Sequence, residues 1–114
     1  MALPVQALSD DVSVAPQLSP QDMAAVAAAG YKSVIINRPD MEGGPEQPTS
    51  QSIMDAGLEA GLEVVYQPVV SGAMTQDDVT RFTQLMDSMP KPILAFCRTG
   101  TRCTVMYRAA TGQG

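Results

Sequence analysis

The chain has 114 residues, 45% of them hydrophobic, with a formal charge of −5 at pH 7 and a pI near 4.4, which fits one domain (1–114) with one core that needs neither disulfides nor a metal. The acidic balance and the lack of any Lys/Arg run exclude nucleic acid and membrane as partners, and no apolar stretch approaches the roughly 18 residues of a membrane span. Histidine is absent, which removes Cys–His and Ser–His dyads and nearly every zinc site, so no metal or other cofactor is expected.

The opening "MALPVQALSDD" has no basic n-region and no continuous apolar h-region, so no secretory signal is expected. With two cysteines and no signal, the expected setting is a reducing cytoplasm, where thiols serve chemistry. "DVSVAP" (11–16) reads as a short strand ending at Pro16. "LSPQDMAAVAAAG" reads as a helix, with Ser19 as cap, Pro20 at the first helical position and Gly30 as stop. "YKSVIIN" (31–37) is apolar and β-branched, as a buried strand should be, and residues 38–50 form a long loop rich in Pro and Gly.

A second helix is predicted from about Ser50 to Gly61, and a strand over 62–69 interrupted by Pro68. "TQDDVTRFTQLMDSM" (75–89) reads as a third helix, opened by a capping box between Thr75 and Asp78. "KPILAF" (91–96) is the next strand, "RCTVMYRAA" (102–110) a last helix, and "TGQG" a frayed tail. The alternation predicts an α/β fold: a mostly parallel sheet of about four to five strands, with right-handed crossovers and helices on both faces.

In such sheets ligands sit where the strand-to-helix loops converge. "CRTGTRC" (97–103) stands there, between "PILAF" and the last helix. Gly100 permits a positive φ, so successive N–H groups of Arg98, Thr99, Gly100 and Thr101 can turn inward. Those groups, the helix start and the two arginines all favour an anion, and the thiolate of Cys97 is one. Its pKa is therefore expected to fall through loop dipoles and Arg102, making it a nucleophile without histidine. The alternative is an inert strand-end cysteine, which a glycine and two arginines in the same loop argue against.

Spacing separates two reaction types. Cysteine phosphatases carry Cys-x5-Arg, usually after a His. Here four residues separate Cys97 from Arg102, and Phe96 precedes the cysteine. The loop resembles that of rhodaneses, Cys-Arg-x-Gly-x-Arg, whose smaller volume suits a terminal sulfur. Across "PQLSPQDMAAVAAAGYKSVIINRPDMEG", "VVYQPVVSGAMTQDDV" and "PILAFCRTGTRC", the chain resembles the phosphatase-like domain of the beta-lactamase-hydrolase-like protein family, over roughly residues 5 to 108.

That resemblance implies a dual-specificity-phosphatase-like fold with a rhodanese-type loop, acting in sulfide detoxification. It also implies a persulfide dioxygenase or a sulfide:quinone oxidoreductase as partner, since the domain occurs alone or fused to such enzymes. Members often carry Ser or Ala after the second arginine, where this chain has Cys103. The expected activity is sulfur transfer: thiosulfate or a glutathione persulfide loads Cys97, and a thiol, cyanide or sulfite unloads it. Arg102 and Arg98 would bind the donor, with Arg38 and Asp40 walling the pocket. The alternative is a cysteine phosphatase with Asp40 as general acid. Cys103 is expected to be a small buried residue of the helix.

Overall fold

The computed structural model describes residues 3–112. Five strands form one sheet: β1 (Gln6–Ala7), β2 (Val12–Ala15), β3 (Ser33–Ile36), β4 (Glu63–Tyr66) and β5 (Ile93–Phe96). Their order is β1-β2-β5-β3-β4; the last four run parallel, and β1 pairs antiparallel with β2. The helices are α1 (Met23–Ala28), α2 (Ser50–Glu59), α3 (Gln76–Ser88) and α4 (Thr101–Thr111). The expected α/β class with a mostly parallel sheet is the one observed.

Alternating side chains divide the core in two. Val12, Val14, Ile35, Ile93 and Ala95 point to one face, against Phe82, Leu85 and Met86 of α3 and Met106 and Tyr107 of α4. Ala15, Val34, Ile36, Leu94 and Phe96 point to the other, against Met23 and Val26 of α1 and Ile53 of α2. Strand β5, central and flanked on both edges, is buried along its whole length. That is why "ILAF" reads as a continuous apolar run. On the second face, a Cβ on Gly57 would collide with the side chain of Val64, so this glycine sets how closely α2 lies on β4.

The differences from expectation are local. Strand β1 has no periodic pattern to announce it; it forms because Ser9 Oγ accepts from the N–H groups of Asp11 and Val12, 3.2 and 3.1 Å away, and folds the chain back onto β2. The first helix begins as a 3-10 turn over Pro20–Asp22, and the Ser19 N–H and hydroxyl both donate to the Asp22 carboxylate. The strand expected to reach 69 stops at Tyr66, ahead of Pro68. At α3 the expected capping box is present, Thr75 and Asp78 each satisfying the other's N–H. Of the tail expected to fray, Thr111 closes α4 and Gly112 caps it at φ 76°, while Gln113 and Gly114 lie outside the described residues.

Candidate active site

The loops after β3, β4 and β5 open onto one cavity of about 1100 Å³ at the carboxyl ends of those strands, lined by Arg38, Glu42, Val70, Cys97, Arg98 and Arg102 among others. One buried side chain ties the three loops together. Asn37, just past β3, donates through Nδ2 to the Gln67 carbonyl at 3.0 Å, and its Oδ1 accepts from the Cys103 thiol at 3.2 Å. Its backbone bonds Phe96 and Val69. The fold thereby fixes the register of the cavity walls before any ligand is considered.

Cys97 follows β5 and is 1% exposed, so only an edge of its sulfur meets the cavity. Gly100, at φ 91°, turns the chain so that its N–H points back at Cys97 Sγ, 3.1 Å away. A side chain would strain that left-handed turn, which is why glycine stands there. The Cys97 pKa is lowered from 9.0 to about 5. The largest cause is a hydrogen bond from the Cys103 side chain, working against burial. Backbone N–H groups of Cys103, Thr99 and Gly100 add to it. At pH 7 the thiolate then outnumbers the thiol by roughly 100 to 1.

The expected loop N–H groups contribute, but Arg102 is not among the largest causes of the Cys97 shift, and Cys103 does more than fill space. Cys103 is fully buried in the first turn of α4, where side chains tilt back toward the helix start and hence toward Cys97. One S–H cannot donate to Asn37 and Cys97 at once; the geometry shows it on Asn37, and an ionised Cys97, as a charged acceptor, competes for it. The Cys103 pKa is correspondingly raised, first by its bond to Cys97 and then by burial.

Arg102 is committed elsewhere. Its Nη1 donates to the Val69 carbonyl at 2.9 Å and its Nη2 to Glu42 Oε1 at 2.9 Å. Arg38 donates to the same carboxylate oxygen through Nε at 3.0 Å, and to Gln17 Oε1 through Nη1 at 3.1 Å. Two guanidiniums thus hold one carboxylate, and the Glu42 pKa is lowered, Arg102 contributing most. One donor is left over. Arg102 Nε is buried without a partner among the described residues, on a side chain that is 9% exposed. An unpartnered buried donor on a cationic wall suits an anion.

The remaining expected residues fall in different places. Arg98, Thr99 and Thr101 line the cavity, and Gly100 directs its N–H at Cys97. Asp40 does not line it. Its carboxylate accepts from Ser50 N and Oγ, 2.7 and 2.8 Å away, at the start of α2, and its N–H bonds the Tyr66 hydroxyl. Ser71 and Gly72, in the loop after β4, complete another stretch of the cavity wall. Glu42, Asn37 and Gln17 were missed by sequence reasoning; only Glu42, four residues after Arg38, carried any signal, and that spacing means ion pairing only inside a helix. Among the described residues no cluster of three or more His, Cys, Asp or Glu is placed to hold a metal.

Residues 4–113 match the family described as "Beta-lactamase hydrolase-like protein, phosphatase-like domain". The beta-lactamase hydrolase-like protein of Agrobacterium fabrum is 32% identical over 100 residues, covering 88% of this chain and 23% of its own length. The chain therefore spans about a quarter of that curated relative. A candidate phosphatase from Neisseria meningitidis superposes with a TM-score of 0.87 at 36% identity, over 97% of this chain and 80% of the other. The P. aeruginosa protein TpbA, solved as a Cys-to-Ser variant with pTyr, superposes with a TM-score of 0.71 at 14% identity, over 96% and 65%. The expected phosphatase-like fold is the fold these structures share.

Proposed function

From the premise that the chain belongs to the phosphatase-like domain family of beta-lactamase hydrolase-like proteins, we propose that it is a sulfurtransferase working through a Cys97 persulfide. The Cys97 thiolate attacks the sulfane sulfur of thiosulfate or of a glutathione persulfide, forming an S–S bond and expelling sulfite or the glutathione thiolate. A thiol, cyanide or sulfite then takes the outer sulfur and returns the thiolate. The free Nε of Arg102, the guanidinium of Arg98 and the loop N–H groups receive the donor's anionic end.

One observation carries this reading: no acid lines the cavity in a protonated form. Glu42 is its only carboxylate among the described residues, and Arg102 and Arg38 hold it ionised. Asp40 is turned to α2. Expelling an alkoxide from phosphorus needs a proton at the leaving oxygen, whereas sulfite leaves as a stable anion. Four residues between Cys97 and Arg102 also enclose less than a phosphoryl group needs.

The second reading, a cysteine phosphatase, draws support from the fold shared with TpbA, which was solved with pTyr. In that case Glu42, not Asp40, would have to supply the acid. Intact mass after incubation with thiosulfate, alongside turnover of an aryl phosphate, separates the two. Gain of one sulfur atom on Cys97 supports sulfur transfer. Aryl phosphate turnover with no sulfur gained replaces it with the phosphatase. As for context, the reading pairs the domain with a persulfide dioxygenase or a sulfide:quinone oxidoreductase in sulfide detoxification.

A further inference from the structure

The cycle above uses only the first turns of α4, yet the same helix carries a second cavity. It measures about 290 Å³ and is lined by Pro4, Gln6, Pro16, Thr104, Val105 and Arg108 among others. Thr99, Thr101 and Val105 line both cavities, so the two adjoin across three small, exposed side chains. Residues 101, 104, 105 and 108 recur at helical spacing and share one face of α4. That face runs from the Cys97 loop outward to Arg108.

Arg108 is the one charged side chain lining this second cavity among the described residues. Both ion pairs among those residues belong to Glu42, so the Arg108 guanidinium has no carboxylate partner among them. The side-chain amide of Gln6 lines the same cavity. Near the sulfur, by contrast, Glu42 already takes up charge from Arg38 and Arg102, so a second anionic group is better met further out. A helix rises about 1.5 Å per residue, which puts Arg108 about 9 Å beyond Arg102 along α4. An extended peptide residue spans roughly 3.3–3.6 Å, so a ligand of two or three residues reaches from one arginine to the other. Thiosulfate, a single sulfite group on one sulfur, does not.

We propose that the second cavity is a carboxylate subsite with Arg108 as its specificity-determining residue, and that the preferred donor is a peptidyl persulfide rather than thiosulfate. The outer sulfur of the donor sits at Cys97, its body crosses Val105, and a terminal carboxylate pairs with Arg108 beside the Gln6 amide. The Cys97 thiolate attacks the outer sulfur and the bond between the two donor sulfurs breaks. The carrier leaves as a thiolate, and the outer sulfur keeps its proton. Arg108 touches none of the reacting atoms and acts on binding alone. The inference rests on the sulfurtransferase reading for the nature of the donor, and narrows that reading to one donor class. Thiosulfate loads Cys97 through the first cavity only.

The test compares glutathione persulfide, its carboxylate-esterified form and thiosulfate as donors for wild type, Arg108→Gln and Arg108→Lys. Sulfur gained on Cys97 is followed by intact mass against time and donor concentration. Arg108→Gln should raise KM for glutathione persulfide roughly 5-fold with the saturated rate held, the size of an exposed ion pair. KM for the ester and for thiosulfate should move less than about twofold, so the loss belongs to the pairing of Arg108 with a carboxylate. Arg108→Lys should return most of it. Binding of S-methylglutathione, whose methyl stands where the outer sulfur would be, is measured by calorimetry and should weaken in Arg108→Gln by the same factor. Arg108 is exposed, and an unchanged thermal midpoint checks that the variants fold. Equal losses with all three donors, no loss with glutathione persulfide, or a wild-type KM lower for thiosulfate would overturn the subsite and leave sulfur transfer standing. S-methylglutathione binding that depends on Arg108, with no sulfur gained from any donor, would keep the subsite and overturn the sulfurtransferase reading. Neither binding nor loading would overturn both.

Discussion

Two loops each bring an arginine to the cavity, and they are built in opposite ways. The loop from Cys97 to Arg102 is short, and its shape is internal: one left-handed glycine, N–H groups turned on a sulfur, and a helix that starts at Thr101. The loop after β3 is long, and its shape is borrowed. Its N–H at Asp40 rests on Tyr66, the Asp40 carboxylate on Ser50, and Arg38 on Gln17. Met41 sits at φ 67°, a left-handed conformation that costs a non-glycine residue roughly 1–2 kcal/mol. Short loops carry their chemistry in their own sequence; long ones carry it in partners the sequence does not mark.

The comparison predicts that damage to the short loop strikes chemistry, and damage to the long one strikes affinity and stability. The largest effect should follow Cys97→Ser, which removes the only thiol lining the cavity among the described residues. Sulfur loading should vanish, while the thermal midpoint stays close to wild type. Arg102→Lys comes next. It keeps a charge but loses the fork that reaches Val69 and Glu42 together while leaving Nε free. Charged hydrogen bonds of this kind are worth about 1.5–3 kcal/mol, so kcat/KM for thiosulfate should fall roughly 10–100-fold. Arg98→Lys should do less, because Arg98 is exposed; equal losses at both positions would show that Arg102 is not the principal donor contact.

Cys103→Ala tests the source of the thiolate. Losing a charge-assisted bond of that size should raise the Cys97 pKa by roughly 1–2 units from about 5. Alkylation followed against pH reads this directly. In wild type the rate should rise through about pH 5 and level off above it, since only the thiolate reacts. Cys103→Ser, which keeps a donor, should return most of the shift. An unmoved profile in Cys103→Ala would give the backbone N–H groups the whole effect.

How much of this was legible follows from the same contrast. Strands β2, β3 and β5 and helix α3 were readable because burial writes a period into the sequence, and Cys97, Gly100 and Arg102 because their spacing is covalent. Glu42 and Asn37 were not, because each is defined by partners far along the chain: Arg102 lies sixty residues from Glu42, and Cys103 sixty-six from Asn37. Asp40 was misplaced for that reason too. A carboxylate in a loop after a strand points to a cavity only if nothing nearer competes for it, and Ser50 does. Cys103 was readable as buried, but its neighbour across the turn was not.

Glu42→Gln sharpens the affinity side. The amide keeps the shape but drops the charge that both arginines hold, so they are freer for the donor, and thiosulfate KM should fall a few-fold. The ion pair is partly exposed, so its share of stability is at most about 1 kcal/mol. Because the folded pKa is depressed, that share is complete above the unfolded carboxylate pKa and is lost as pH falls through the folded value. Glu42→Gln should lack this acid-side loss. A KM that rises instead would mean Glu42 orients Arg102 rather than competing for it.

The smallest expected effect on chemistry is at Asp40, and it cuts between the two enzyme readings. Its carboxylate accepts two hydrogen bonds from Ser50, the first residue of α2, where a negative charge also favours the positive end of the helix. Asp40→Asn keeps one acceptor oxygen and loses the charge, a cost of about 1 kcal/mol by analogy with lost N-caps. For a chain of this size that is roughly 4–8 °C in thermal midpoint. Sulfur loading of Cys97 should stay within about twofold of wild type, since no atom of Asp40 lines the cavity and ΔΔG of this kind acts on folding rather than on the reacting groups. Loss of aryl phosphate turnover in Asp40→Asn, with the midpoint unchanged and no sulfur loading in wild type, would put Asp40 back in the cavity as a phosphatase's acid. That outcome requires the carboxylate to leave Ser50, which double substitution with Ser50→Ala would then make easier, not harder.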